Sequence, residues 1–307
     1  MVTPTFRVSV VVCAYTERRW DDLVSAVDAL KGQTVAPHEI IVVIDHNPAL
    51  YDRAANSLDG IKLLKNVNKQ GLSGARNSGI DEAEGDIIAF VDEDAVARSD
   101  WLEKLLPHFA DEGTMGVGGQ IVPRWLSGRP RWFPNEFDWV VGCTYRGMPK
   151  DSNPVRNLIG CNMSFRRQVF DEVGQFREDV GRIGTLPVGC EETELCIRAH
   201  QHCPEQHLIY EPTALVDHRV PADRGTWRYF LKRCYSEGIS KALISRYVGT
   251  GDSLSSERGY VAYTLPSGVL LDLSDMLKGD VTGIVRATAI VLGLAATGIG
   301  FLVGTVS

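Results

Sequence analysis

The chain has 307 residues, enough for one α/β core of roughly 200–250 residues and a remainder. Hydrophobic residues make up 44% and charged residues 23%, which excludes a disordered chain, a collagen-like repeat and a polytopic membrane protein. The formal net charge is −7, which argues against a general nucleic-acid coat.

In chain order, residues 8–12 form a Val-rich run, as a strand buried on both faces should. Leu23, Ala26, Val27 and Leu30 follow at helical spacing. Strands are predicted at 39–44, 61–64 and 86–91, and helices at 73–83 and 101–109. This alternation implies βαβ units and a mostly parallel sheet. Residues 124–145, rich in Trp, Arg, Gly and Pro, read as a long surface excursion. Beyond it a strand is expected at 162–165, a short helix at 167–173, a helix at 191–200 and a strand at 207–216. The seven cysteines are scattered and no secretory signal precedes Val8, so mostly free thiols in a reducing cytosol are expected.

In such sheets ligands bind outside the carboxyl ends of the strands. After the first strand, Cys13, Ala14, Tyr15, Thr16 and Glu17 lack the G-x-G-x-x-G of a dinucleotide site. After the second comes Asp45, an acid suited to a ribose or base, or to capping the next loop. Residues 68–79 (NKQGLSGARNSG) place two glycines, Gly71 and Gly74, at a helix start. Free N–H groups there suit a phosphate or carboxylate; an ordinary capped helix with a surface Arg76 is the alternative. The fourth strand ends in Asp92, Glu93 and Asp94. Three adjacent acids repel one another unless a cation sits among them, and hard divalent ions take carboxylate oxygens and share them with phosphates. The alternative is a solvated acidic turn. Cys190, Cys196, His200, His202 and Cys203 also cluster, but no C-x-x-C knuckle is present, so buried thiols are expected there rather than zinc.

These segments, with Gly160 to Phe165 (GCNMSF) and Glu191 to Leu195 (EETEL), resemble the family 2 glycosyltransferases of the GT-A fold over residues 6–220. The resemblance implies an inverting, metal-dependent transferase using Mn2+ or Mg2+ and a nucleotide-sugar donor, a UDP- or GDP-sugar. It implies a mostly parallel sheet flanked by helices. On this resemblance Ala14, Tyr15 and Glu17 hold the nucleoside, with Asp45 near the base or ribose. Gly71, Arg76, Asp92 and Glu93 complete the donor side. Asp94 and Asp92 engage the metal, joined by His218. Glu192, with Glu191 beside it, supplies the base; here Glu stands where the family has Asp. The alternative for these acids is that they suit the positive end of a helix. Asn162 and Arg233 are assigned to the acceptor.

Between residues 226 and 247, Arg228, Lys232, Arg233, Lys241 and Arg246 outnumber the single acid Glu237, leaving about −11 for the rest of the −7 chain. Residues 287–306 carry no charge and are about long enough to span a bilayer. A span, an interfacial helix and a hairpin packed on the core are all compatible with them. The expected division is a transferase domain at 1–225 and a basic, apolar acceptor and membrane region at 226–307. The processive synthases' Q-x-x-R-W is absent, so transfer of one sugar is expected. The acceptor would be a lipid-linked or other glycan, with a polyprenyl-phosphate-linked glycan as the candidate, and the site the cytoplasmic face of the cell membrane, in cell-envelope glycan synthesis. No nucleic-acid partner is expected. The rival readings are a nucleotidyltransferase of similar fold and a non-catalytic glycan-binding relative. Arg124, Trp125, Arg129, Arg131, Trp132 and Phe133 are read as a border of the acceptor cleft.

Overall fold

A computed structural model of the chain describes residues 6–180 and 189–306. The elements begin with β1 (Val8–Ala14), α1 (Trp20–Lys31), β2 (Glu39–Ile44), α2 (Pro48–Ser57), β3 (Lys62–Lys65), α3 (Leu72–Glu82) and β4 (Ile87–Asp92). There follow β5 (Ala95–Ala97), α4 (Trp101–Leu105), β6 (Thr114–Trp125), β7 (Asn153–Val155), β8 (Asn162–Arg166), α5 (Arg167–Val173), α6 (Glu191–His202) and β9 (His207–Val220). The last are α7 (Trp227–Val248), α8 (Thr250–Ser253), α9 (Ser255–Gly259), α10 (Leu265–Leu277) and α11 (Thr282–Val306).

One sheet runs in the order β3-β2-β1-β4-β8-β6-β9-β5, with β7 on β9. The pairs β3–β2, β2–β1 and β1–β4 are parallel, as right-handed helical crossovers demand. The pairs β4–β8, β6–β8, β5–β9 and β7–β9 are antiparallel. The sheet is therefore mixed, and the parallel half is the part whose alternation the sequence displays. All seven residues of β1 are buried, which explains their Val-rich composition.

Among the elements not predicted are α2 and β6. Asn47 caps α2, accepting from the Leu50 amide at 3.0 Å, and Pro48 opens its first turn; this pairing is a helix-start signal. The 12-residue β6 is hidden by its glycines. A Cβ at Gly119 would lie 2.0 Å from the Ala214 carbonyl oxygen, so the backbones meet too closely for a side chain.

The chain divides into two compact units. One contains the described parts of Met1–Val122, Pro149–Gly181 and Glu191–His218; the other those of Pro123–Met148, Arg182–Cys190 and Arg219–Ser307. The sequence suggested a single boundary at 225, whereas residues 123–148 cluster with the C-terminal ones. The reason is aromatic packing. Phe133, Phe137 and Phe230 are buried together, and Trp132 stacks on Trp227 with ring centroids 4.1 Å apart. The segment expected as a surface excursion is core in this second unit.

Within that unit α11 lies against α7 through glycines. Cβ atoms at Gly238 and Gly300 would sit 2.1 Å from the Thr297 oxygen and 2.0 Å from the Tyr235 oxygen. Large apolar residues of α11 and α10, among them Leu270, Leu271, Leu277, Ile299 and Leu302, remain exposed. Among the described residues α11 is the one helix long and apolar enough to cross a membrane. Arg286 ties the two helices, reaching Asp272 at 2.6 Å and Asp280 at 2.9 Å.

Candidate active site

The carboxyl ends of β1 and β2 form one wall. Asp45 is buried, accepting from Asn66 Nδ2 at 2.6 Å and from the Gly71 amide at 3.0 Å. It thereby fixes the entry to α3. Gly71 has φ +135°, a conformation that disfavours a side chain. Ala14 is buried and Tyr15 is half exposed. Glu17 is exposed, and its own backbone amide, then Asn47, hold its carboxyl below the usual range. Asn47 was not singled out from the sequence. Besides capping α2 it donates to the Tyr15 carbonyl at 3.1 Å and to Glu17 Oε2 at 3.1 Å.

Arg76 is the centre of the next layer. Its guanidinium, 2% exposed, donates to Glu191 Oε1 at 3.0 Å, to the Gly160 carbonyl at 3.2 Å and to Asp92 Oδ1 at 3.5 Å. One side chain on α3 thus joins the end of β4, the turn before β8 and the start of α6. Burial opposes its charge, but Glu191 and then Asp92 hold it protonated. Its neighbour Asn77 has a different duty: its amide exchanges two hydrogen bonds with the backbone of Phe176.

Arg19, also missed by sequence reading, grips the acidic loop. Its Nη1 lies 2.8 Å from Glu93 Oε1 and 3.0 Å from Asp94 Oδ2, and the guanidinium sits 5.6 Å from the Tyr15 ring centre. Burial pushes the Glu93 carboxyl up to about 8, against the pull of Arg19. His218 is buried, with Nε2 3.4 Å from Asp94 Oδ1. Ligand atoms of Asp92, Cys161 and His218 lie within 4.8 Å of one another. Oxygen, sulfur and imidazole nitrogen converging at that range fit a divalent cation.

At the start of α6 the three acids of the first turn separate. Glu191 is held by Arg76, and Glu194 by Arg198 at 2.9 Å. Glu192 is partly solvent-facing, where Glu191 and Glu194 are buried.

The two residues assigned to the acceptor differ in setting. Asn162 is fully buried; its amide accepts from Trp101 Nε1 at 2.8 Å and donates to the Gln120 and Ala214 carbonyls. It locks the sheet together. Arg233 belongs to the second unit and pairs with Glu237 at 2.9 Å. Lys241 pairs with Glu237 and Glu257, so two of the five basic residues near α11 are drawn inward while Arg228 and Lys232 stay exposed.

All seven cysteines are free thiols, and among the described residues Cys190, Cys196, His200, His202 and Cys203 do not gather into one group. Cys196 is buried, its thiol pushed up to about 12 by desolvation, and Cys190 lies against Glu237. Only His202 and Cys203 come together, with Glu172, at the far end of α6. That point is about 16 Å along the helix from Glu191.

The Glycosyl transferase family 2 model matches residues 9–174. The chain is 33% identical to the glucosyl-dolichyl phosphate glucuronosyltransferase of Haloferax volcanii, covering 97% of this chain and 96% of that one. Among solved structures it resembles a mannosyltransferase from Pyrobaculum calidifontis in complex with GDP-Man and Mn2+. The TM-score is 0.61 at 18% identity, covering 98% of this chain and 88% of that one. It also resembles GalNAc-T7 with UDP, GalNAc and Mn2+, with a TM-score of 0.54 at 15% identity over 84% of this chain and 56% of that one. These two likenesses speak to the fold.

Proposed function

The chain belongs to glycosyltransferase family 2 and has its GT-A fold, and on that premise we propose that it moves one sugar, with inversion, from a UDP- or GDP-sugar to a polyprenyl-phosphate-linked glycan at a membrane surface. The observation that carries this reading is the Arg76 bridge, which gathers Asp92, Gly160 and Glu191 around one guanidinium. The acids proposed for the donor and the helix start proposed for the base thereby adjoin. The nucleotidyltransferase rival loses its ground with the family.

In this reading the nucleoside lies along Ala14, Tyr15, Glu17 and Asp45, beside the start of α3 at Gly71. Asp92 and His218, with Asp94 beside them, would hold a divalent cation, Mn2+ or Mg2+. When bound, that ion supplies Lewis-acid stabilisation of the leaving diphosphate. Glu192 accepts the proton of the acceptor hydroxyl as its oxygen attacks the anomeric carbon. The carbon–diphosphate bond breaks on the opposite face, which inverts the configuration. Glu191 and Glu93 are positioning groups, since Arg76 and Arg19 hold them. Asn162 is assigned to sheet packing, and Arg233 remains a proposed acceptor-side residue.

Two features support the lipid-linked acceptor. One is the name of the Haloferax relative. The other is the exposed apolar face of α10 and α11, which suits lipid. Free thiols suit the cytoplasmic side of that membrane.

The experiment is a panel of UDP- and GDP-sugars with Mn2+ or Mg2+ and a polyprenyl-phosphate-linked sugar in detergent. One donor should be consumed and the lipid-linked product extended by one sugar. If no donor is consumed under any combination, the reading is wrong.

A further inference from the structure

The strand register explains why a thiol stands beside Asp92. Strands β4 and β8 pair antiparallel, with Ile87 opposite Arg166, and so on to Val91 opposite Asn162. The next step of that register sets Asp92 against Cys161. Directly opposed residues on neighbouring strands share a face of the sheet, with Cβ atoms about 5 Å apart. From the other side β5 and β9 set His218 opposite Ala95, one residue past Asp94. Asp92 and His218 therefore sit on paired strands, and Cys161 in the turn that leads into β8, closed by the bridge between Ile159 and Asn162.

The setting favours a built site over a chance encounter. Cys161 is 4% and His218 4% exposed, while Asp92 keeps an open side. Arg76 holds both flanks of the thiol, donating to Asp92 and to the carbonyl of Gly160, the residue before it. Thiolate sulfur and imidazole nitrogen prefer borderline and soft ions, whereas Mg2+ takes oxygen and keeps its waters.

We propose that Cys161 is a direct ligand of the divalent cation, together with Asp92 and His218, and that its sulfur biases the site towards thiophilic ions over Mg2+. This rests on the cation-assisted reading above and adds a ligand to it. On binding, the Cys161 S–H proton leaves to solvent and a metal–sulfur bond forms, with no change of oxidation state.

The test uses Co2+ and Cd2+ alone with the full chain, and needs no sugar donor. Co2+ titrated into the wild type should give a sulfur-to-cobalt charge-transfer band in the near ultraviolet at one ion per chain. Cys161→Ser should lose that band, and its Cd2+ affinity should fall by about tenfold or more, at least as much as losing a supporting group around a metal costs. Its Mg2+ affinity should stay nearly unchanged. Cys203→Ser, which removes the thiol of the separate Glu172, His202 and Cys203 group, should keep the band. A band that persists in Cys161→Ser overturns the assignment. So does Co2+ binding to the wild type, seen as a thermal shift, with no such band; the cation site then survives without its sulfur. A wild type that binds none of these ions removes the cation reading itself, and Cys161 with it. Thermal melts of Cys161→Ser and Cys161→Ala without metal identify whichever variant folds, and the comparison is made on that one.

Discussion

Arg76 in the first unit and Arg233 in the second are both enclosed guanidiniums paired with glutamates, yet their surroundings differ in one respect. Around Arg233 the charges alternate along α7: Glu237 stands between Arg233 and Lys241, and Glu257 takes the other side of Lys241. Around Arg76 and Arg19 acids predominate, with Asp92, Glu93, Asp94 and Glu191 facing two arginines. A balanced network serves packing. A network with surplus negative charge in a confined place suits a cation; at Glu93 burial raises the carboxyl to about 8 against the pull of Arg19, and the neighbouring Asp94 and Asp92 add to the rise. Buried ion pairs by themselves do not mark a site; the unpaid balance does.

The sharpest way to break this contrast is through chemistry. Glu192→Gln should lower turnover by about 10²- to 10⁴-fold, the contribution of a positioned base, while nucleotide-sugar binding by calorimetry stays intact. Full turnover in that variant would remove the base from the account and leave the family untouched.

The next largest effect is on stability. Arg76→Ala leaves Glu191 buried without its cation and should cost about 3–5 kcal/mol in urea unfolding. Arg76→Lys should recover only part, because a single ammonium cannot serve Glu191, Asp92 and the Gly160 carbonyl together. Equal stability of Arg76→Ala and wild type would show the bridge to be idle.

In the second unit, Gly300→Leu forces a side chain into the Tyr235 carbonyl. It should destabilise by roughly 1–3 kcal/mol and reduce flotation with anionic lipid vesicles. A variant that floats as well as wild type would separate the seam from membrane contact.

The smallest effect is with pH. Burial raises the Glu237 carboxyl, but Lys241 and then Arg233 outweigh it and leave it at about 2, below its usual 4.5. Its contribution is therefore complete above about pH 4.5 and is lost as pH falls towards 2. The stability gap between wild type and Glu237→Gln should be flat from pH 7 to 5 and narrow below 4.5. A gap that widens on acidification contradicts the sign.

Local features of the site could be read from sequence, and long-range pairings could not. The acids at 92–94 announce themselves because an uninterrupted apolar strand ends there, and the start of α6 because three glutamates crowd one turn. Arg19 gives no such signal: its partners lie more than seventy positions away, and only the return of β4 beside β1 brings them near. Cys161 lies within the GCNMSF motif, but its neighbour across the strands depends on a register that no local pattern prints. Asn162 shows the reverse failure. A polar residue in a recognisable motif suggests contact with ligand, yet its amide is consumed by Trp101, Gln120 and Ala214. The β6 strand escaped because glycine weakens the β signal where backbones must touch.

The glycine seam of α11 has a consequence for how this unit tolerates its surroundings. A helix attached by interlocking leucines leans on water to drive it home and loosens in oil. Gly300 meets the Tyr235 backbone, and Gly304 meets the Ala242 methyl and the Ile239 backbone, close approaches that keep their value in either medium. The outward residues of α11 can therefore exchange water for acyl chains without unmaking the seam beneath them, so that α11 keeps its place on α7 in either solvent.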